Sequence, residues 1–281
     1  MPDPVLHALA PAELDRYRAE GYLIRRDVFS RVEVGRLRDA AEATVAAAAA
    51  HSRSGRFYVL DGKRFVDVAG STVQFEHAPD SATIRVIEPA HPFDVRWEAL
   101  IDDPRIVVPM CALVGAPAVA LWTDKLNLKR PREGSGFRWH QDSPYWIHDS
   151  GHVDQLPNVM VLLDDATEEN GALKVIPGSH RQGRLPGTDD GTQLGGFFTD
   201  PACFDESNAV CMAAPAGALV FFSPHVVHGS APNRSDQSRR ALIMTYQPAG
   251  YRMLKLPRVR NAGGESVIEA WPRIGGEAHG V

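Results

Sequence analysis

Cysteine is scarce in this chain. Cys111, Cys203 and Cys211 show no C-x-x-C spacing and are too few for a disulfide framework. They read as reduced thiols, and the chain as cytoplasmic. Neither sign of charge dominates. A formal net charge of −5 leaves no electrostatic footprint for nucleic acid or for an anionic membrane. Long apolar runs are also missing, and Ala46–Ala50 is far too short to span a bilayer. The N-terminal segment lacks a basic start followed by an apolar core, so no signal peptide is expected. There are no internal repeats and no linker-like stretch. No long helical pattern separates the strand-like runs, which disfavours a parallel α/β sheet. What remains is a chain of 281 residues, 44% hydrophobic, able to build a real core. The expected partner is a small-molecule substrate, and the expected assembly is a monomer or homodimer.

Pro11 opens a short helix that Gly21 ends, and Tyr22–Phe29 reads as a strand. Ser30 is a good N-cap for a helix carrying Val32, Val34, Leu37 and Ala40. Residues 52–92 are harder to read, apart from a hairpin signal at Asp61-Gly62 between Phe57–Leu60 and Arg64–Val68. Short helices fit Trp97–Ile101 and Pro104–Val114. From about Ala118 onward, β-rich runs alternate with turn signals: Ala118–Leu128, Arg138–Asp142, Asn158–Leu163, Leu173–Ile176, Ala218–Phe222 and Arg240–Tyr246. Many short strands with such punctuation predict a sandwich or jelly roll. The expected plan is one domain over 1–281: a helical and mixed part to about 115, a jelly-roll core over about 116–250, and a tail from about 251. The tail reads as a flap or as partly disordered from Arg260.

His140 and Asp142 stand two apart at the end of an expected strand, where side chains share a face and can reach one ion. Two imidazoles and a carboxylate on one face of an octahedron leave three positions open, as non-haem Fe(II) requires for a bidentate co-substrate and O2. His228, read as closing the apolar strand that begins at Ala218, is the best third ligand. An H-x-D pair alone arises by chance, and His152 and Asp154 form a second one, in a polar stretch that reads as an exposed loop. His225 competes for the third position, but three residues from His228 it faces the other way on a regular strand. It is assigned a structural or substrate-facing role. Trp139, Tyr145 and Trp146 around the first pair favour His140 and Asp142.

These residues belong to a longer ordered pattern. It runs through Gly21-Tyr22-Leu23, Leu128-Lys129-Arg130-Pro131, Phe137-x-Trp139-His140-Gln141-Asp142-x-x-Tyr145-Trp146 and Leu163-Asp164-Asp165. It continues through Asn170-Gly171, Ile176-Pro177-Gly178-Ser179-His180, His228-Gly229-Ser230-x-Pro232-Asn233 and Arg239-Arg240-Ala241. In this the chain resembles the phytanoyl-CoA dioxygenase family over most of its length. The resemblance implies a mainly β fold, a double-stranded β-helix (jelly-roll, cupin-like) core with N-terminal helices packed on it. It also implies Fe(II) as cofactor, with 2-oxoglutarate and O2 as co-substrates. By position it makes His140, Asp142 and His228 the iron ligands. Arg239, eleven residues after the distal histidine, becomes the grip on the far carboxylate of 2-oxoglutarate, with Arg240 as its rival. Ser230 is the expected helper at that carboxylate. Asn127 and Phe137 fall where the family's ectoine-hydroxylating branch contacts 2-oxoglutarate, and Trp146, with Tyr145 beside it, where that branch contacts substrate. Lys125 departs from the glutamine of many relatives.

The expected activity is hydroxylation of an unactivated C–H of a small organic molecule, with release of succinate and CO2. Halogenation is not expected, because Asp142 fills the position that halogenases leave to halide. The alternative is a metal-binding, cupin-like isomerase or small-molecule sensor, which needs no Arg239. Asp164 and Asp165 are assigned to turns or caps, and Phe197, Phe198, Tyr251 and Trp271 to the core.

Overall fold

The computed structural model describes residues 4–256, 258–263 and 266–267. Helix α1 (Pro11–Glu20) ends at Gly21, whose φ of +82° carries the chain straight into β1 (Tyr22–Arg25). This strand stops four residues short of expectation, because Asp27 turns the backbone at φ 57°. Helix α2 (Arg31–Ser52) opens with a reciprocal capping box. The Ser30 hydroxyl accepts from the Glu33 amide, and the Glu33 carboxylate accepts from the Ser30 amide.

The segment that was hard to read is an antiparallel meander of β2 (Arg56–Leu60), β3 (Lys63–Val68), β4 (Ser71–Phe75) and β5 (Ile84–Glu88). Asp61 and Gly62 both have positive φ, the two-residue turn whose twist suits a hairpin. Helices α3 (Arg96–Ile101) and α4 (Pro104–Val114) lie where the sequence suggests. The core strands follow: β6 (Val119–Lys129), β7 (Phe137–His140), then the short helix α5 (Ser143–Trp146), β8 (Asn158–Leu162), β9 (Lys174–Val175), β10 (Val210–Cys211), β11 (Leu219–Phe222), β12 (His228–Ser230) and β13 (Arg239–Pro248). A small pair, β14 (Val259–Arg260) and β15 (Ser266–Val267), completes the described chain.

Two sheets make the jelly roll. One has the order β1-β11-β8-β13-β6-β5-β4-β3-β2, the other β10-β9-β12-β7. The central strands of the large sheet are covered on both sides, and their alternation divides two cores. Val159, Val161, Leu219, Phe221, Leu242 and Met244 face the helices. Their neighbours Met160, Leu162, Val220, Phe222, Ala241 and Ile243 face the small sheet. Burial on both faces is why these strands read as continuous apolar runs.

Other sequence expectations also fail locally. Asp142 is not on a strand: β7 ends at His140, and Asp142 is the helical-φ residue that precedes α5. His228 does not close the apolar strand. That strand ends at Phe222, and His228 opens β12 in the other sheet. Tyr251 is 51% exposed and packs against the His152 ring rather than the core. Past residue 251, Met253 and Val259 are buried, and Arg260 bonds Glu98 and Asp102, so this part of the tail packs on the body. Trp271 lies outside the described residues. No helix among the described residues is long and apolar enough to cross a membrane.

Candidate active site

Strands β7 and β12 pair so that His140 and His228 are direct cross-strand partners, with ring centroids 4.1 Å apart. Asp142 joins them from the turn into α5. Its backbone amide donates to the Pro224 carbonyl, in the turn just before His228. One ligand atom from each of the three residues lies within 4.8 Å of the others. The Nε2 atoms of His140 and His228 stand 3.9 and 3.8 Å from the Asp142 carboxylate oxygens.

The tautomers are fixed by what lies behind the rings. His140 Nδ1 meets the Arg138 carbonyl at 2.7 Å and His228 Nδ1 meets the Val226 carbonyl at 3.0 Å. A carbonyl can only accept, so each Nδ1 carries the proton and each Nε2 offers a lone pair to the shared centre. Burial, helped by the neighbouring His228, pushes His140 down to about 3, and burial also lowers His228. Burial opposes the Asp142 charge, but Lys125, His228, His140 and a hydrogen bond from Asn158 outweigh it and hold its pKa below the usual range. Two neutral imidazoles and one carboxylate form a donor set suited to Fe(II). Asn158 Nδ2 donates to Asp142 at 2.9 Å, and the Thr245 hydroxyl in turn donates to Asn158 at 2.6 Å.

The competing residues pair with each other elsewhere. His225 Nε2 and Asp154 Oδ1 are 2.8 Å apart, and His152 bonds Gln247 at 3.1 Å. His152 is therefore partly buried rather than part of an exposed loop.

Arg239 opens β13 and is only 2% exposed. Its Nη2 donates to the Gly171 carbonyl at 3.0 Å, while Nε and Nη1 have no partner. The rival Arg240 points the other way and is fully engaged by Asp164 and Glu42. Lys129, which the sequence reading left without a role, stands opposite Arg239 on β6 and donates to Ser230 Oγ at 2.8 Å and to the Ala231 carbonyl. Burial, then Arg239 and Arg85, pushes Lys129 down to about 6. Arg85 lies 4.0 Å over the Phe137 ring, and its Nε is unpartnered, as is Asn127 Oδ1. Two buried guanidinium groups with free donors, beside a buried lysine, make sense where an anion arrives. A dicarboxylate co-substrate fits this end of the site, as iron fits the other.

A cavity of about 1050 Å³ opens on His140 and Asp142, and its wall includes Asn127, Phe137, Ser230 and both aromatics of α5. Lys129 reaches that wall through its bond to Ser230. Trp146 is 2% exposed and backed by Trp122 and Leu156, whereas Tyr145 is stacked on Phe197 at 4.5 Å. Phe198, assigned to the core, also borders the cavity. The sequence reading missed Lys129, Arg85 and Glu88. The alternation 125, 127, 129 along β6 was a signal for the first, and the other two lie on the unread meander.

The family model for phytanoyl-CoA dioxygenase matches residues 17–241. This chain belongs to the phytanoyl-CoA dioxygenase family. An L-proline trans-4-hydroxylase from Streptomyces griseoviridis is 31% identical over 183 residues, 59% of this chain and 68% of the relative. The crystal structure of EctD from S. alaskensis with 2-oxoglutarate and 5-hydroxyectoine superposes with a TM-score of 0.69 at 25% identity, covering 89% of this chain and 83% of that one. The form of EctD with bound Fe gives a TM-score of 0.65 at 25% identity, covering 91% and 87%. With this family kinship, the chain is a non-haem iron, 2-oxoglutarate-dependent dioxygenase with a jelly-roll fold.

Proposed function

We propose that His140, Asp142 and His228 hold the iron, that Arg239 grips the far carboxylate of 2-oxoglutarate, and that the enzyme hydroxylates an unactivated C–H of a small molecule. The bound iron and co-substrate together supply the oxidant, with succinate and CO2 as by-products. The chain's own residues supply orientation and enclosure. The two Nδ1–carbonyl bonds and the Asn158 bond hold the three ligands in place before any metal arrives. Ser230, Asn127 and Phe137 line the cavity with His140 and Asp142, Lys129 links Ser230 to its cross-strand partner Arg239, and Trp146 and Tyr145 form the substrate side.

The observation that carries the co-substrate assignment is the pair of unpartnered Arg239 nitrogens, fully buried beside Lys129. The second N–H of Nη2, together with whichever free nitrogen adjoins it, presents a carboxylate with two parallel hydrogen bonds. A metal-binding isomerase or sensor has no use for it. The test is succinate formation as a function of 2-oxoglutarate with Fe(II) present, in wild type and Arg239→Ala. Identical titrations would remove Arg239 from the site. The three free cysteines support a reducing compartment, and we place the enzyme in the cytoplasm as a monomer or homodimer.

A further inference from the structure

Two opposite charges face the substrate side of the cavity without meeting. Lys125 and Asn127 alternate along β6 on the cavity side, and the β5–β6 register pairs Val86 with Asn127 and Ile87 with Leu126. One step further along brings Glu88 alongside Lys125, and both border the cavity. Among the described residues, Lys125 Nζ makes no hydrogen bond. Its only ion-pair neighbour is Asp142 Oδ1 at 3.8 Å, and it lies 5.9 Å from the Trp146 ring. Glu88 accepts from the Thr123 hydroxyl at 3.1 Å through one oxygen, and its other oxygen has no partner among the described residues.

Structural ion pairs in this protein look different. Arg25–Glu13, Arg240–Asp164 and Arg260–Asp102 close at 2.6, 2.8 and 2.7 Å. Lys125 has only the long contact to Asp142, and Glu88 keeps one oxygen without a donor among the described residues, so each can still meet an opposite charge on a ligand in the cavity. Rim cations do not tell the same story, since Arg138 is paired with Asp190 at 2.9 Å and Lys174 with Glu168 at 2.6 Å.

We infer that the substrate is a small amphoteric molecule, with an amine and a carboxylate a few bonds apart as in a free amino acid. Lys125 takes the carboxylate and Glu88 the ammonium. This rests on the oxygenase reading above, and it makes both residues determinants of specificity beside the iron ligands. Trp146 walls the same pocket.

The experiment uses a panel of free α-, β- and γ-amino acids with the N-acetyl derivative and the amide of each. The first keeps only the anion and the second only the cation. Succinate formation with Fe(II) and 2-oxoglutarate is read relative to each protein's own basal release. Binding is read separately as the melting-temperature shift of protein loaded with Mn(II) and 2-oxoglutarate without oxygen. At least one free amino acid raises succinate release and the melting temperature, and both of its singly charged derivatives are weaker by roughly ten- to a hundredfold. Lys125→Gln narrows the gap between amino acid and amide, and Glu88→Gln narrows the gap between amino acid and N-acetyl derivative. The inference is overturned if no free amino acid acts in either readout, or if a singly charged derivative acts as well as its parent in wild type. Absence of any basal succinate would instead count against the oxygenase reading, and the melting-temperature comparison would still decide the substrate class.

Discussion

Arg239 on β13 and Lys129 on β6 are direct cross-strand partners, and both are buried. A second positive charge facing Arg239 inside the barrel is costly unless an anion lies between them, so burial and then Arg239 push Lys129 down to about 6. Lys129 bonds Ser230 and Ala231, and two Arg239 nitrogens have no acceptor among the described residues.

Replacing Arg239 therefore tests the co-substrate end directly. Arg239→Ala removes a charge-assisted, two-point contact worth about 2–4 kcal/mol, so the 2-oxoglutarate requirement rises roughly thirty- to a thousandfold. Iron binding is expected to persist, because Arg239 touches none of the three ligands. Arg239→Lys recovers only part of the loss, since an ammonium lacks the fork. Arg240→Ala breaks the pairing with Asp164 and Glu42 and lowers stability, with little effect on the 2-oxoglutarate titration. A 2-oxoglutarate titration in which Arg240→Ala shifts and Arg239→Ala does not would reverse the assignment.

The metal end makes a second prediction. His140→Ala and His228→Ala are expected to lose iron, measured as metal per chain after dialysis. His225→Ala and Asp154→Ala are expected to retain one iron, because these two residues bond each other outside the cluster. Loss of iron in His225→Ala with retention in His228→Ala would mean that the distal ligand is misassigned.

Much of this site was legible because its signals are local. The turn at Asp61-Gly62, the cap at Ser30 and the ordered motif around His140 are written in adjacent residues. The reasoning for Asp142 rested on the wrong local geometry. It assumed a strand through residue 142, whereas the chain turns into α5 and the carboxylate arrives from a helical start. The alternation along β6 pointed to Lys129 but not to its partner, and Arg85 and Glu88 had no such signal. Their meaning comes from cross-strand neighbours far away in the chain, such as Arg239 for Lys129, and β5 sits in a meander of mixed polar and apolar residues. Tyr251 was misread because an aromatic residue says nothing of its partner, here His152.

Asn158 is expected to matter for metal affinity although it touches no metal position. It holds one Asp142 oxygen at 2.9 Å and is itself held by Thr245. Asn158→Ala lets the carboxylate rotate and is expected to weaken iron binding roughly ten- to a hundredfold. Thr245→Val, which removes only the outer bond, is expected to have a smaller effect of the same sign. Equal iron affinity in Asn158→Ala and wild type, by competition with a chelator of known strength, would show that the turn before α5 orients Asp142 unaided.

The last prediction concerns pH and follows from Lys129. Its ordinary pKa of 10.5 falls to about 6, through burial first and then the positive charges of Arg239 and Arg85, with Glu76 opposing weakly. Between those two values the unfolded chain holds a proton that the ligand-free native protein does not. Stability of the ligand-free protein contributed by this group therefore rises with pH across that window and is lowest below about 6, where the buried amine must be charged. A dicarboxylate between Lys129 and Arg239 restores the ammonium, so 2-oxoglutarate binding above about 6 takes up a proton. Affinity then falls as pH rises, by up to about tenfold per unit until the pKa of the complex is reached. Arg239, held near 10 by burial, stays charged at neutral pH and does not account for such a trend. Titration calorimetry of the Mn(II)-loaded protein without oxygen, in buffers of different ionisation enthalpy, reads the proton uptake directly. Lys129→Met should abolish both the uptake and the slope while Arg239 still binds. Wild-type binding that takes up no proton and is flat in pH would show that Lys129 keeps its bonds to Ser230 and Ala231 and never meets the co-substrate.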